Sequence, residues 1–226
     1  MDSAHGEARP PNFDRLACAY RWMEYLSFGP MLERCRFRFL DDCGASRHAL
    51  LLGDGDGRFA ARLFAINRDL RADAVDGSQA MLDRLRQRVV RATQATTASR
   101  LRTTCADLRR SSPPGKDYDL VVSHFFLDCL TDRELESLLE RTLPALAPRC
   151  LWLVSEFSVP QKGWRGPAAR LLIRSLYFAF RRMTHLQVRR VPDYSLLFVR
   201  NGFELRRSSR FLGGILSAEL WERKAL

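Results

Sequence analysis

In the segment Ala49–Phe59, ALLLGDGDGRF, an apolar run ends in three alternate glycines, Gly53, Gly55 and Gly57. Glycines so placed let the chain turn sharply and let a ligand approach the backbone with no Cβ in the way. Asp54 and Asp56 stand between them. Two carboxylates there would repel a pyrophosphate and suit a cation, and they serve a solvated turn equally well. About twenty residues on, the strand pattern Arg71–Val75 ends in Asp76, where a carboxylate can accept hydrogen bonds from both hydroxyls of a ribose.

Further residues of chemical interest follow other apolar runs. Ala106 and Asp107 come after a strand pattern at Arg100–Thr104, and Ser123, His124, Phe125 and Phe126 end or follow one at Tyr118–Ser123. Glu156 closes another at Cys150–Glu156. Asp107 could accept from an adenine amino group while the Ala106 N–H donates to a ring nitrogen; Asp107 is equally suited to cap the following turn. His124, Tyr20, His185 and Glu156 are the polar side chains able to take a proton from a bound acceptor. A nucleophile elbow, an HExxH helix and a GxxxxGK[ST] loop are all missing from the sequence.

The elements that must position these groups alternate. Strands at His48–Leu52, Arg71–Val75, Arg100–Thr104, Tyr118–Ser123 and Cys150–Glu156 are mostly separated by helical patterns, the signature of a parallel sheet. Runs such as Leu120-Val121-Val122 lack polar alternation, as strands covered on both faces require. Ser78 is placed to cap a helix carrying Leu82, Leu85 and Val89. Helical patterns at Phe13–Ser27 and Pro30–Asp42 precede the sheet. A helix from Pro192-Asp193 to Asn201-Gly202, then strands at Phe203–Leu212 and Ile215–Arg223 around Gly213-Gly214, close the chain.

In order and spacing, from about Phe13 to Arg223, these segments resemble the class I S-adenosylmethionine-dependent methyltransferases. LLLGDGDGR is similar to their glycine motif, AVDGSQAML to their ribose-binding strand end, TCADL to their adenine-contacting segment and YDLVVSHFFLDCL to their fourth strand and its loop. FDRLACAYRWMEYLSFG is similar to the entry helix of the ubiquinone/menaquinone-biosynthesis type. The resemblance implies an α/β, Rossmann-like fold: a mostly parallel seven-stranded sheet with helices on both faces and a C-terminal antiparallel hairpin. It implies S-adenosylmethionine as cofactor, held by Gly53, Asp54, Gly55, Asp56, Gly57, Asp76, Gly77, Ser78, Met81, Ala106, Asp107 and Ser123. His124 and Tyr20 are the implied catalytic residues, and the expected activity is methyl transfer to a small, partly apolar or acidic molecule. One position departs: the family's usual carboxylate two residues before the first glycine is Leu51 here.

At 226 residues and 46% hydrophobic content the chain can form one core. Residues 1–44 read as a helical entry segment and 45–226 as the cofactor-binding domain. Scattered cysteines, Cys18, Cys35, Cys43, Cys105, Cys129 and Cys150, form no CxxC pair, so they are expected reduced, without a metal. Neither a long apolar span nor a signal-peptide pattern is present, and a cytoplasmic protein is expected. Charge is concentrated: residues 161–210 hold twelve Lys or Arg against Asp193 and Glu204, a net +10 of the chain's +11. Arg170, Arg174 and Arg181 share one face of an amphipathic pattern near 161–191. The charge suits a solvated face, peripheral contact of residues 165–185 with an anionic membrane, an acidic small molecule or, less well, nucleic acid. A binding or adaptor module using this segment is the alternative to an enzyme.

Overall fold

The computed structural model describes residues 30–93, 99–158 and 193–224. Among them seven strands form one sheet: β1 (His48–Leu52), β2 (Arg71–Asp76), β3 (Leu101–Cys105), β4 (Tyr118–His124), β5 (Leu146–Phe157), β6 (Phe203–Phe211) and β7 (Leu216–Arg223). Their spatial order is β3-β2-β1-β4-β5-β7-β6. Strands β1 to β5 run parallel, and β7 lies antiparallel between β5 and β6. This is the expected sheet with its closing hairpin. Parallel neighbours need crossovers, and those described are α2 (Arg58–Ile66), α3 (Gln79–Thr93) and α4 (Asp132–Thr142); α1 (Met31–Arg36) precedes the sheet and α5 (Tyr194–Arg200) precedes β6.

Two apolar layers sandwich the sheet. Ala49 and Leu51 of β1 join Leu63 of α2, Leu85 of α3 and Leu32 of α1 on one face; Leu50 and Leu52 join Leu138 of α4 and Phe198 of α5 on the other. Each strand residue therefore needs an apolar side chain whichever way it points, which is why β1 shows no polar alternation. Local signals set the helix starts. Ser78 Oγ accepts from Met81 N at 3.2 Å ahead of α3. Thr131 and Glu134 form a reciprocal capping box at α4.

Two expected elements differ in extent. The helix expected through Asp42 stops at Arg36 and is followed by a 3-10 turn at Asp41–Cys43. Phe39, Leu40 and Cys43 still reach the core, so the helical burial spacing that the sequence shows persists past the end of the regular α-helix. Strand β5 begins at Leu146, four residues before the expected Cys150. Its pairing steps from Tyr118↔Leu146 to Leu120↔Leu151, so an irregularity accommodates Pro148. The expected helix at 13–27, with Tyr20, and the basic segment 161–191 lie outside the described residues.

Candidate active site

In a sheet of this topology ligands sit beyond the carboxyl ends of the parallel strands, where the chain reverses around β1 and β4. The structure brings the glycine loop, Asp76, the loop after β3, His124 and Glu156 to that edge. Gly53, Gly55 and Gly57 all have left-handed backbones, with φ of 63°, 60° and 76°. Their surroundings differ. A Cβ on Gly53 would lie 2.8 Å from the Phe126 ring, and one on Gly57 2.6 Å from the Leu85 Cα, whereas one on Gly55 would meet nothing within 4 Å. Gly53 and Gly57 thus permit packing against the β4 loop and α3, and Gly55 leaves the approach that a ligand needs.

The two loop carboxylates have separate roles. Asp56 Oδ2 accepts from Arg88 at 2.7 Å and Arg58 at 3.2 Å, while the Asp56 carbonyl accepts from Arg88 Nε at 2.9 Å. It joins the loop to α2 and α3, so the expectation that Asp56 holds a ligand cation is replaced by a structural clamp. Asp54 is 7% exposed. Its Oδ2 accepts from Ala60 N at 3.1 Å, whereas its Oδ1 is buried without a hydrogen bond. Burial pushes its carboxyl up to about 7, against the pull of Arg36 and the Ala60 hydrogen bond and with Asp56 and Asp76 adding to the rise.

Asp76 ends β2, and its Oδ1 accepts from Ser78 N at 2.9 Å; that bond fixes the Gly77 turn. Met81, in the first turn of α3, is buried. Two contacts expected nearby are otherwise engaged. The Ala106 N–H donates to the Asp76 carbonyl at 3.0 Å, extending the β2–β3 ladder, and is not offered to a ring nitrogen. Asp107 accepts from Arg109 N, Nε and Nη2 at 3.0, 2.9 and 2.8 Å. These bonds, above all that of the Arg109 side chain, hold its carboxyl below the usual range despite partial burial, so an adenine amino group would compete with a bidentate arginine. Arg141 of α4 pins this loop from beneath, donating to the carbonyls of Leu108, Arg109 and Ser111.

Past β4 the two faces separate neighbouring residues. Ser123 is fully buried, and its Oγ accepts from Trp152 Nε1 at 3.0 Å. Its hydroxyl therefore serves the core, not the ligand edge, correcting the expectation for that side chain. His124 faces α2, edge-on to Phe59 with ring centroids 4.6 Å apart. It is 3% exposed, and neither ring nitrogen has a hydrogen bond. Burial, then the Arg36 charge, drives its basicity well below the ordinary histidine value, leaving the imidazole neutral. Phe125 follows with φ of 53°, a left-handed non-glycine; its N–H donates to the Ser155 carbonyl at 2.7 Å and its ring lies 5.3 Å from that of Phe157. Strain held in this way is characteristic of functional loops.

Glu156 secures that loop. Its Oε1 accepts from Phe126 N at 3.1 Å and Leu127 N at 2.8 Å, while Oε2 is buried without a hydrogen bond. Burial first, then Asp128, raises its carboxyl well above the ordinary value. Arg36, whose guanidinium lies 5.7 Å over the Phe125 ring, had no signal in the sequence, since it stands among Arg34 and Arg38 on a short arginine-rich segment.

These residues fit S-adenosylmethionine. Asp76 stands at the end of β2, where a carboxylate could accept from a ribose, Gly55 leaves room beside the backbone, and Asp54 has an unsatisfied buried acid oxygen that would suit a molecule bearing an ammonium and a sulfonium. Sheet order, closing hairpin and glycine loop together define the class I methyltransferase fold. Residues 50–151 match the family model for a methyltransferase domain. No curated protein matches the sequence. Among solved structures, an O-methyltransferase family protein from Burkholderia thailandensis is 16% identical with a TM-score of 0.68, over 94% of this chain and 60% of that one. The mitomycin 7-O-methyltransferase MmcR is 16% identical with a TM-score of 0.66, over 98% and 62%. NcsB1, an O-methyltransferase from neocarzinostatin biosynthesis in complex with S-adenosyl-L-homocysteine and 1,4-dihydroxy-2-naphthoic acid, is 16% identical with a TM-score of 0.61, over 94% and 57%. This chain thus shares their fold and spans about three fifths of their length.

Proposed function

We propose that this chain is an S-adenosylmethionine-dependent methyltransferase acting on the oxygen of a small aromatic molecule whose hydroxyl is already acidic. The observation that carries the acceptor class is His124, neutral, buried and without a hydrogen bond at the end of β4. When bound, the cofactor supplies a methyl group activated by a cationic sulfur. The protein's own part is alignment, binding and proton removal. Asp76 receives the ribose hydroxyls, Gly55 admits the ligand to the backbone, and Phe125 and Phe157 form an apolar wall. A neutral His124 ring nitrogen accepts the acceptor's hydroxyl proton.

The factors that keep His124 neutral also make it a weak base, because a proton there is opposed by burial and by Arg36. It therefore matches a phenol acidified by a conjugated carbonyl or carboxylate, not an aliphatic alcohol. The 1,4-dihydroxy-2-naphthoic acid named with NcsB1 is of that type. Tyr20 is retained as a second proton acceptor on this reading. The proposal extends to a cytoplasmic enzyme touching an anionic membrane through residues 165–185, supported by the +10 net charge of 161–210.

The test is a panel of phenols of graded acidity, assayed by mass spectrometry with His124→Ala beside the unaltered protein. The rate lost on removing His124 should shrink as the phenol becomes more acidic; an equal loss across the panel would assign His124 a packing role.

A further inference from the structure

We propose that Glu156 is a positioning residue for the cofactor: its side chain holds the loop after β4 against the glycine loop, so the cofactor's site depends on how far that side chain reaches and not on its charge. This rests on the reading of the site as one for S-adenosylmethionine and adds a residue that acts on it through another. Three observations carry it. One Glu156 oxygen gathers two consecutive backbone N–H groups, those of Phe126 at 3.1 Å and Leu127 at 2.8 Å. The loop to which they belong leaves β4 through a left-handed non-glycine, Phe125 with φ of 53°, whose own N–H is held by the Ser155 carbonyl at 2.7 Å. The Phe126 ring lies flush against the first glycine of the glycine loop, where a Cβ on Gly53 would come within 2.8 Å of it.

The strands dictate this arrangement. His124 pairs with Ser155 at the last rung between β4 and β5, so beyond Phe125 the loop has passed the end of the ladder. Buried N–H groups there require another acceptor, and Glu156, fully buried and next along β5, supplies it. Burial, then the Asp128 charge, favours the neutral form of its carboxyl, in which an oxygen still accepts hydrogen bonds; a side-chain amide of the same length offers the same. The loop fixed in this way spans the cofactor's site. Phe126 closes on Gly53 after β1, and Cys129, at the end of the 3-10 turn Leu127–Cys129, lies where the charges of both Asp76 and Glu156 act on its thiol. Without the Glu156 oxygen, the Phe126 and Leu127 N–H groups must turn elsewhere, the left-handed Phe125 loses the contacts that hold it, and the Phe126 ring leaves Gly53. An aspartate at this position, one methylene shorter, falls short of both groups.

The experiment is calorimetric titration of the full chain with S-adenosylhomocysteine, beside hydrogen exchange of the backbone over residues 124–130 followed by mass spectrometry. Glu156→Gln keeps the length and an oxygen for both N–H groups, so its affinity should stay within about twofold of the unaltered protein's and the Phe126 and Leu127 amides should stay protected. Glu156→Asp keeps the acid without the reach: those amides should exchange faster, and affinity should fall about tenfold as buried N–H groups lose their acceptor. Phe126→Ala should lose a similar amount, and adding it to Glu156→Asp should lose little more, because both act through the same ring. Affinity lost in Glu156→Gln and kept in Glu156→Asp would assign the role to charge and overturn the proposal. Unchanged affinity in folded Glu156→Asp or in Phe126→Ala would confine Glu156 to stability and overturn it equally; both results leave the cofactor site standing. Should Glu156→Asp not fold, Glu156→Gln and Phe126→Ala decide by the same criteria. Failure of the folded, unaltered protein to bind S-adenosylhomocysteine overturns the proposal together with the site.

Discussion

Gly57→Ala and Gly55→Ala form a matched pair that separates packing from ligand approach within one loop. Both glycines are left-handed, so an alanine at either costs roughly 1–2 kcal/mol in backbone strain. Only at Gly57 does the new methyl collide, 2.6 Å from the Leu85 Cα and Cγ. The backbone of α3 cannot rotate aside as a side chain can, so α2 and α3 must separate, adding an overpacking penalty of roughly 1–3 kcal/mol. Gly57→Ala should therefore lose roughly 2–5 kcal/mol of stability. Gly55→Ala should lose only the strain, yet place a methyl on the ligand's approach and bind S-adenosylhomocysteine at least tenfold more weakly. Urea unfolding gives the first quantity and calorimetric titration the second. Equal stability loss in the two variants, or unchanged binding in Gly55→Ala, would refute the division of labour among the glycines.

Other consequences follow from buried charge. Asp73, 4% exposed, accepts from both arms of Arg102 at 2.7 Å and from the Tyr118 hydroxyl at 2.5 Å, with His48 3.4 Å away. Asp73→Leu, which leaves the buried Tyr118 hydroxyl without its acceptor and Arg102 with only the Pro114 carbonyl, should destabilise the fold by roughly 1–3 kcal/mol in urea unfolding. Burial opposes ionisation of Asp73, but Arg102 and Tyr118 outweigh it and depress its folded value. Its contribution is thus present above about pH 4 and lost as pH falls below that, so the urea midpoint of the unaltered protein should drop more steeply below pH 4 than that of Asp73→Leu. Glu156 has the opposite sign: with its folded value raised, it favours folding at low pH and loses that contribution as pH rises. Glu156→Gln keeps an acceptor for Phe126 and Leu127, and thermal melts at pH 8 should show it at least as stable as the unaltered protein. Among the described cysteines, burial pushes Cys35, Cys43 and Cys150 up to about 12 and Cys129 well up, while Cys105 is exposed; a thiol reagent at pH 8 should label Cys105 first by peptide mass mapping.

The fold was legible because both layers left marks in the linear pattern. The uninterrupted apolar runs of β1 and β4 required cover on two faces, and the glycines and Ser78 fixed where strands gave way to helices. Pro148 concealed the first residues of β5, since proline ordinarily argues against a strand and only the irregular pairing beside Tyr118 makes room for it. At the site, positions along strand ends could be read, but pairings between distant residues could not. Asp56 finds Arg88 across 32 residues and Ser123 finds Trp152 across 29, and no periodicity encodes either contact. Arg141, reaching the carbonyls beyond Asp107 from another helix, belongs to the same category. The alternation of faces along β4 explains why adjacent residues diverge: Ser123 turns to Trp152 and His124 to Phe59 of α2.

The most direct test of the account is transfer of a deuterated methyl group from labelled S-adenosylmethionine to a hydroxynaphthoic acid, followed by mass spectrometry of the product and run beside Asp76→Ala. The unaltered protein should yield labelled methyl ether, and the variant should lose most of it through weaker cofactor binding. A folded protein that binds the cofactor yet labels no phenol in a graded panel would contradict the acceptor class, and one that binds no cofactor would contradict the site itself.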